Sequence, residues 1–405
     1  MSQQIYLDHA ATTPVAAQAL EAMIPYCRQL YGNPSSSYAL AQDSRQAVEE
    51  ARDVIAGAIG AKSHEIYFTA GGTESDNWAV KMSVFMQKQD REAKPNASEK
   101  KHLITTKIEH HAILHACEWM EQQGYEVTYL PVDEQGVVSV RRLKEAIRPD
   151  TACISIMYAN NEVGTIQPIR EIGAIAAEHG IPFHTDAVQA FCQIPIDVKE
   201  QKISLLSASS HKCYGPKGVG FFYIYEQYGM PPFMHGGAQE RQMRAGTENV
   251  PGIVGFAKAV AICQENMEER MQRERALRDY LIQRILTEIP YVRLNGYAKN
   301  RLPGNANFCF QFVEGEHLLV LLDMDGICAS AGSACTTGSS EPSHVLTAMG
   351  LPRDLANGAL RLTLGAHTTK DEIDVTVEAI KRHVEQLRST SSWYLEFTGE
   401  QPKCM

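Results

Sequence analysis

The residues whose types and spacing promise chemistry are an aspartate and a lysine, each closing a short apolar run. His184-Thr185-Asp186-Ala187-Val188-Gln189 follows Ile181-Pro182-Phe183, and Ser207-Ala208-Ser209-Ser210-His211-Lys212 follows a second such run. A lysine that holds an aldehyde as a Schiff base must be the last polar step off a strand, so that its amine reaches the sheet edge without flexing. Lys212 is so placed. A pyridine ring that is to stay protonated and electron-withdrawing needs a carboxylate, and Asp186 stands at the matching end of its own run. Taken singly, Lys212 reads as a surface lysine and Asp186 as a helix cap. Taken together, with hydroxyls and an imidazole beside the lysine, they read as a site for pyridoxal phosphate.

Three further segments fit that site. Phe68-Thr69-Ala70-Gly71-Gly72-Thr73-Glu74-Ser75 runs from a strand through two glycines into a helix. Glycines let backbone amides approach an anion, the helix start adds partial positive charge, and Thr73 offers a hydroxyl. Alone this is an N-cap pattern; Ser209 and His211 add donors for the same phosphate. Lys107-Ile108-Glu109-His110-His111 and Ala159-Asn160-Asn161-Glu162-Val163-Gly164 each follow a strand, where open α/β sheets bind ligands. One of these imidazoles could stack on the ring and one asparagine could bond its phenolic oxygen. The plain alternative is a helix start and a turn.

The elements that must position these residues alternate between strand and helix from about residue 60 to 225, the signature of an open α/β sheet with helices on its faces. Candidate strands are Glu65–Thr69, His102–Thr106, Glu126–Leu130, Ala152–Met157, Pro182–Asp186, Leu205–Ala208 and Val219–Tyr225, with helices beginning near Thr73, His111, Arg141 and Pro168. Ala41 to Ile59 carries Val48, Ala51, Ile55 and Ile59 at helical spacing, as core packing demands. Gln87 to Lys101 reads as an exposed connection. From about Ile253 to Ile289 the pattern predicts one long helix bridging two domains. Beyond Pro290, strands at Asn305–Phe312 and Ala359–Leu364 alternate with helices near Glu316–Leu322, Glu341–Met349 and Lys370–Arg388, a smaller α+β unit.

A chain of 405 residues, 44% of them hydrophobic, can bury at least one large core and suits two domains. Its formal charge of −10, without a long basic block, argues against a general nucleic-acid or anionic-membrane binder. No apolar run approaches a membrane span, and the start Met1-Ser2-Gln3-Gln4 lacks a signal peptide's features, so a soluble, cytoplasmic protein is the expectation. The ten cysteines are scattered without metal-ligand spacing, and no metal is expected. Cys335 has distinctive company: Ala329-Ser330-Ala331-Gly332-Ser333-Ala334-Cys335-Thr336-Thr337-Gly338-Ser339-Ser340 is almost wholly small residues, a composition suited to a thiol that travels.

Read together, these motifs resemble the NifS/IscS-type cysteine desulfurases of the class V aminotransferase family, which are fold-type I pyridoxal-phosphate enzymes. The resemblance runs from Tyr6-Leu7-Asp8-His9-Ala10-Ala11-Thr12-Thr13 through Gly32-Asn33-Pro34-Ser35, Thr73-Glu74-Ser75-Asp76-Asn77 and Glu109-His110. It continues with Asn161-Glu162-Val163-Gly164, Asp186-Ala187-Val188-Gln189, His211-Lys212, Arg244-Ala245-Gly246-Thr247, Gly332-Ser333-Ala334-Cys335 and Arg361-Leu362-Thr363-Leu364-Gly365.

The resemblance implies a fold: a large domain (16–259) with a mostly parallel seven-stranded sheet, and a smaller α+β domain (1–15 with 260–405) carrying the cysteine loop. It also implies roles. Lys212 is the Schiff-base lysine and proton carrier, Asp186 the pyridinium partner, Gln189 the partner of the ring oxygen and His110 the stacking residue. Gly72, Thr73, Ser209 and His211 hold the phosphate, joined by Thr247 from the second subunit of a homodimer. Asn161 and Arg361, with Asn33, bind the substrate carboxylate, for which a guanidinium fork is suited. Cys335 accepts sulfur from L-cysteine as a persulfide and leaves alanine. An iron-sulfur scaffold or a tRNA-thiolation enzyme would then receive the sulfur.

Rival readings are an ordinary class V aminotransferase, a cysteine or selenocysteine lyase, and a catalytically idle subunit of a sulfur-transfer complex. Cys335 in its loop favours the desulfurase over the first two, and the intact set of Lys212, Asp186, His110 and Arg361 disfavours the third. Ser210 and Ala238 stand where many members have glycine. The tail after Trp393 is short and ends at Gln401-Pro402-Lys403-Cys404-Met405, unlike the longer tails by which housekeeping members contact a scaffold.

Overall fold

The computed structural model describes residues 4–92, 101–332 and 342–399. An N-terminal strand β1 (Ile5–Tyr6) precedes helices α1 (Ala17–Arg28) and α2 (Ala39–Ala58). Seven strands then form one sheet: β2 (Ile66–Thr69), β3 (His102–Thr106), β4 (Glu126–Leu130), β5 (Thr151–Ser155), β6 (Phe183–Asp186), β7 (Leu205–Ser209) and β8 (Gly220–Ile224). Their order is β2-β8-β7-β6-β5-β3-β4, and β8 alone runs against its neighbours. The four central strands β3, β5, β6 and β7 are buried along their length, apart from no residue, which is why they read as continuous apolar or small-residue runs.

Helices α3 (Gly72–Glu92), α4 (His111–Gln122), α5 (Val140–Ala146) and α6 (Ile169–Glu178) connect the strands. Each parallel crossover returns the chain so that the loops after β2, β3, β5, β6 and β7 gather at one sheet edge. The main core joins α2 (Val48, Ile55), the sheet (Ile104, Ile154, Phe183, Leu206, Phe221) and Phe256 further along the chain.

The single long helix expected over Ile253–Ile289 is two helices, α7 (Val250–Glu265) and α8 (Met267–Glu288). Asn266, a poor helix former, breaks them with φ −126° and ψ 26°. The first starts earlier than its apolar spacing suggests because Asn249 accepts the Gly252 N–H as an N-cap and Pro251 fits the first turn. Val260, Cys263, Met267 and Met271 pack on the main core, whereas Leu281 and Ile285 pack on a second one, so α8 spans both.

That second core lies between α8, an antiparallel sheet of β9 (Val292–Leu294), β10 (Asn305–Phe310) and β12 (Ala359–Thr363) in the order β12-β10-β9, and the helix α12 described next. Helices α9 (Gly315–Met324), α10 (His344–Ala348), α11 (Arg353–Ala356), α12 (Lys370–Thr390) and α13 (Ser392–Thr398) complete the chain. Thr369 and Glu372 form a reciprocal cap at the start of α12. The N-terminal strand β1 pairs in parallel with β11 (Ile327–Cys328), which puts Ile5 and Leu7 in this second core. From there residues 8–13 cross to the large sheet.

One anchor holds the large sheet's edge to the segment 239–244. Glu240, Arg241 and Gln242 all adopt left-handed backbone angles, φ 45°, 56° and 68°, which β-carbon-bearing residues adopt at a cost. The Glu240 carboxylate accepts from Arg52 Nη1 and Nη2 at 2.8 and 2.9 Å and from the Phe68 N–H at 2.9 Å. Arg244 then reaches Glu74 at 2.8 Å, beside the glycine turn. All three acceptor bonds are buried, so Glu240→Ala leaves the buried Arg52 guanidinium with only the half-exposed Glu49 carboxylate, 3.2 Å away, as its ionic partner. We expect that variant to lose about 3–5 kcal/mol of unfolding free energy in a denaturant titration.

Candidate active site

At the gathered strand ends lies a cavity of about 190 Å³ whose wall includes Gly72, Thr73, His110, Asn161, Asp186, Gln189, Ser209, His211, Lys212 and Arg361. Each comes from a different kind of local signal. Asp186 is the last residue of β6 and Ser209 the last of β7; Lys212 closes the 3₁₀ turn Ser210–Lys212 that follows. His110 is the N-cap of α4, and Gly72 opens α3.

Lys212 Nζ is held by the backbone of the crossing N-terminal segment: it donates to the carbonyls of Ala10 at 2.5 Å and Ala11 at 2.7 Å. The same segment bonds Gln189 Nε2 through Ala10 O at 3.0 Å, and Thr12 Oγ1 meets His211 Nδ1 at 3.1 Å. Thr13 accepts the Tyr214 N–H and donates to His211 O. Residues 10–13 therefore clamp the lysine loop from a distance of about two hundred positions in sequence. The reading of the sequence assigned these residues no role, because neither periodicity nor a charged group marks them.

The floor of the cavity is acidic. Asp186 accepts the Val188 N–H at 2.9 Å, yet burial pushes its carboxyl up to about 6, with Lys212 pulling the other way. Asp76 is raised well above the carboxylate range by burial and by the charge of Asp186, and its Oδ1 is buried without a hydrogen-bond partner. Glu109, which does not line the cavity, is lifted by burial to about 8, although Thr106 Oγ1 and the Met157 N–H donate to it at 2.6 and 3.0 Å. His184 lies between Ser155 and Ser207 at 2.8 and 2.9 Å and is driven down to about 3 by burial, so it is neutral and brings no compensating charge. A protonated pyridine nitrogen is the kind of group this floor lacks.

The opposite end offers hydrogen-bond donors to an anion. An open groove of about 500 Å³ continues past Gly71, Gly72, Thr73, Ser209 and His211 to Lys217. The first N–H groups of α3 have no intrahelical acceptor there. A Cβ on Gly72 would stand 2.5 Å from Val188 Cγ2, so only glycine lets the helix start approach this close. Asp76 and Lys217 are site residues that the sequence reading passed over. Asp76 stood one helical turn beyond Thr73, the signal by which it could have been found.

The paired candidates separate. His110 faces the cavity, whereas His111 packs against His115 and His344, with ring centroids 5.0 and 4.7 Å away. Asn161 faces the cavity, whereas Asn160 makes a turn, its Oδ1 accepting from Glu162 and Val163 and its Nδ2 donating to Ile108 O. Arg361 is 1% exposed. It donates from Nη1 to Asn161 O at 3.1 Å and from Nη2 to Asp8 Oδ1 at 2.7 Å, while Nε is buried without a partner. The edge formed by Nε and Nη2 thus retains donors for a carboxylate.

Asn33 and Thr247 are not among the residues lining this cavity. Asn33 is exposed and its Oδ1 accepts the Ser35 N–H; Thr247 is exposed beyond the anchored segment. Ser210, in place of the glycine of many members, is buried with its Oγ lacking a partner, and a Cβ on Gly215 would meet that oxygen at 2.0 Å. Cys335 and Cys404 lie outside the described residues. The described neighbours of the Cys335 segment are fixed, however: Ser330 pairs with the backbone of Arg361, and Ser343 Oγ donates to Glu162 at 2.5 Å.

This sheet, with a strand-end lysine, a strand-end aspartate and a helix-start phosphate cradle, defines a fold-type I pyridoxal-phosphate enzyme. The aminotransferase class-V family pattern matches residues 5–375, and the chain belongs to that family, whose cofactor is pyridoxal phosphate. A protein named cysteine desulfurase IscS from Methanosarcina thermophila is 52% identical over 390 residues, covering 96% of this chain and 94% of the relative. A protein of the same name from Dictyoglomus turgidum is 49% identical over 98% of both chains. Among solved structures, a NifS-like protein superimposes with a TM-score of 0.87 at 35% identity, covering 95% of this chain and all of the other. One described as SspA in complex with cysteine gives 0.77 at 38% identity, covering 91% of this chain.

The protonation state of His110 follows from its contacts. Burial, with Lys212 and the neighbouring histidines, lowers it to about 4, and Nδ1 accepts the Ala112 N–H at 3.1 Å. The neutral ring therefore carries its proton on Nε2. Because its folded value lies below the unfolded value of about 6.5, its contribution to stability is present above that value and is lost as pH falls through about 4. We expect ¹⁵N spectra of histidine-labelled protein to show His110 as the neutral Nε2–H form from pH 8 down to about pH 5. A charged ring at pH 6 would contradict the assignment.

Proposed function

We propose that the chain is a cysteine desulfurase that converts L-cysteine to L-alanine and takes the sulfur onto Cys335 as a persulfide. The observation that carries this reading is the convergence of Lys212, Asp186, His110, Asn161 and Arg361 on one cavity beside the anchors of the Cys335 segment. Relatives named cysteine desulfurases, matching over nearly the whole chain, support it.

Bound pyridoxal phosphate supplies a carbonyl that condenses with amines and a ring that withdraws electrons from the substrate's Cα. Gly72, Thr73, Ser209 and His211 would hold its phosphate, Asp186 its ring nitrogen, Gln189 its ring oxygen, and His110 would lie against the ring. The chain's own groups do the rest. Arg361 binds the substrate carboxylate through Nε, which has no acceptor in the protein, while Asp8 and Asn161 O keep the guanidinium from turning. Lys212 Nζ removes the Cα proton and later returns one. His110 presents Nε2–H, so it acts as a hydrogen-bond donor to sulfur rather than as a base.

The Cys335 thiolate attacks the substrate sulfur. An S–S bond forms, the Cβ–S bond breaks, and Cβ takes up a proton. The balance is L-cysteine plus a Cys335 thiol giving L-alanine plus a Cys335 persulfide, with no outside oxidant or reductant. A thiol set among small residues suits this step because the persulfide must afterwards leave the cavity for an acceptor.

The same reading extends outward. Exposed Thr247 supports a homodimer in which it reaches the phosphate of the second copy, and Asn33, likewise exposed and off the cavity wall of its own copy, is proposed as the third residue for the substrate carboxylate. The separate cores support a large domain at 16–259 and a small one at 1–15 with 260–405, joined through α8. Among the described residues no helix is long and apolar enough to cross a membrane; a cytoplasmic address and delivery of sulfur to an iron-sulfur scaffold or a tRNA-thiolation enzyme complete the reading.

The test is anaerobic incubation of purified enzyme with L-cysteine, following alanine, sulfide and persulfide. Lys212→Ala should lower alanine formation by roughly 10²–10⁴-fold. Cys335→Ala should lose the persulfide, and release of sulfide by that variant at the parental rate would refute the mechanism.

A further inference from the structure

Lys212 lines two cavities. Besides the site described above, it borders a second cavity of about 40 Å³, whose lining includes Lys212, Gln189, Tyr214, Glu274 and Asn305. One ordered water needs roughly 10–15 Å³ and a few polar partners, so this space admits water. Two buried acceptors in its wall have no hydrogen-bond partner: Glu274 Oε1 and Asn305 Oδ1. Glu274 is 1% exposed although it belongs to the otherwise polar helix α8. A Cβ on Gly304 would stand 2.7 Å from Leu364 O and 3.5 Å from Glu274 Oε2, so glycine keeps this wall open. Partly buried His9 and Gln193 line the same space and connect it toward the surface.

We propose that Glu274 and water in this second cavity form a proton reservoir for Lys212, reached through residues that do not line the first cavity. The inference rests on the desulfurase reading, in which Lys212 both takes and returns a proton. The step is a proton transfer alone: an N–H bond of the Lys212 ammonium breaks, an O–H bond forms on the Glu274 carboxylate, and intervening water passes the proton on. The reverse transfer recharges the lysine.

The charges around Glu274 suit the task. Arg270 and Arg273 on its own helix favour the carboxylate, with Arg270 Nε 3.9 Å from Oε1, while burial opposes them and prevails, raising the carboxyl to about 7. Across the cavity stand Tyr214, Lys212 and His9, and Arg278 is engaged with Leu302 O and Asp279. A carboxyl poised near neutrality can accept and release a proton at working pH. Lysine on a sealed wall would instead return the same proton that it removed.

That difference is measurable. L-Cysteine deuterated at Cα is converted by the holoenzyme in ordinary water, and deuterium in the product alanine is read by mass spectrometry. The wild type should retain little label, Glu274→Gln should retain several-fold more, and Glu274→Asp, which keeps a titratable group, should fall between. Equal retention in wild type and Glu274→Gln, or full retention in the wild type, overturns the proposal. A second readout needs no turnover: the infrared difference spectrum of the wild-type apoprotein minus Glu274→Gln should show a protonated-carboxyl band near neutral pH, the contributions of Asp76 and Glu109 cancelling. Absence of that band overturns the reservoir, whereas absence of alanine formation would fault the desulfurase reading and leave the infrared result to decide this one.

Discussion

The structure depends on carboxyl groups buried at the strand ends with a lysine facing them. Asp76, Glu109 and Asp186 are each pushed toward the protonated form by burial, and the charge of Asp186 adds to it for Asp76 and Glu109. Leaving carboxyls in such a place is costly unless a cation joins them. Lys212 stands near enough to lower Asp186, but its ammonium is committed to the carbonyls of Ala10 and Ala11. The floor is therefore a poor place for an isolated protein and a good one for a cationic ring.

Around that constraint the two cores divide the work. The large sheet fixes Asp186, Ser209 and the glycine turn, because parallel strands deliver all their following loops to one edge. The second core fixes Arg361, through β12, and the start of the chain, through β1. Residues 8–13 bridge them: Asp8 holds Arg361, and Ala10 and Ala11 hold Lys212. Arg361 and Lys212 are thereby set relative to each other by one short segment.

How much of this was legible in sequence depends on the range of the contact concerned. Strand-end Asp186 and Lys212, the Gly71-Gly72-Thr73 turn and the seven strands are local patterns, and they stand where local pattern placed them. His110 against His111, and Asn161 against Asn160, were undecidable locally because each pair differs only in which neighbour faces the cavity. Asn266 broke a helix that apolar spacing had joined. Glu240 and Glu274 carried no signal at all: one reaches Arg52 across 188 positions, and the other is a charged residue on a charged helix whose burial comes from tertiary packing.

The central claim is that sulfur leaves L-cysteine for Cys335 under the control of Lys212 and Arg361. Its most direct measurement is a single anaerobic turnover at substoichiometric L-cysteine labelled with ³⁴S, followed by peptide mass spectrometry. The account requires the label on the peptide containing Cys335, in equal amount to the alanine formed. Alanine formed with the label on another cysteine, or released directly as sulfide, would contradict it.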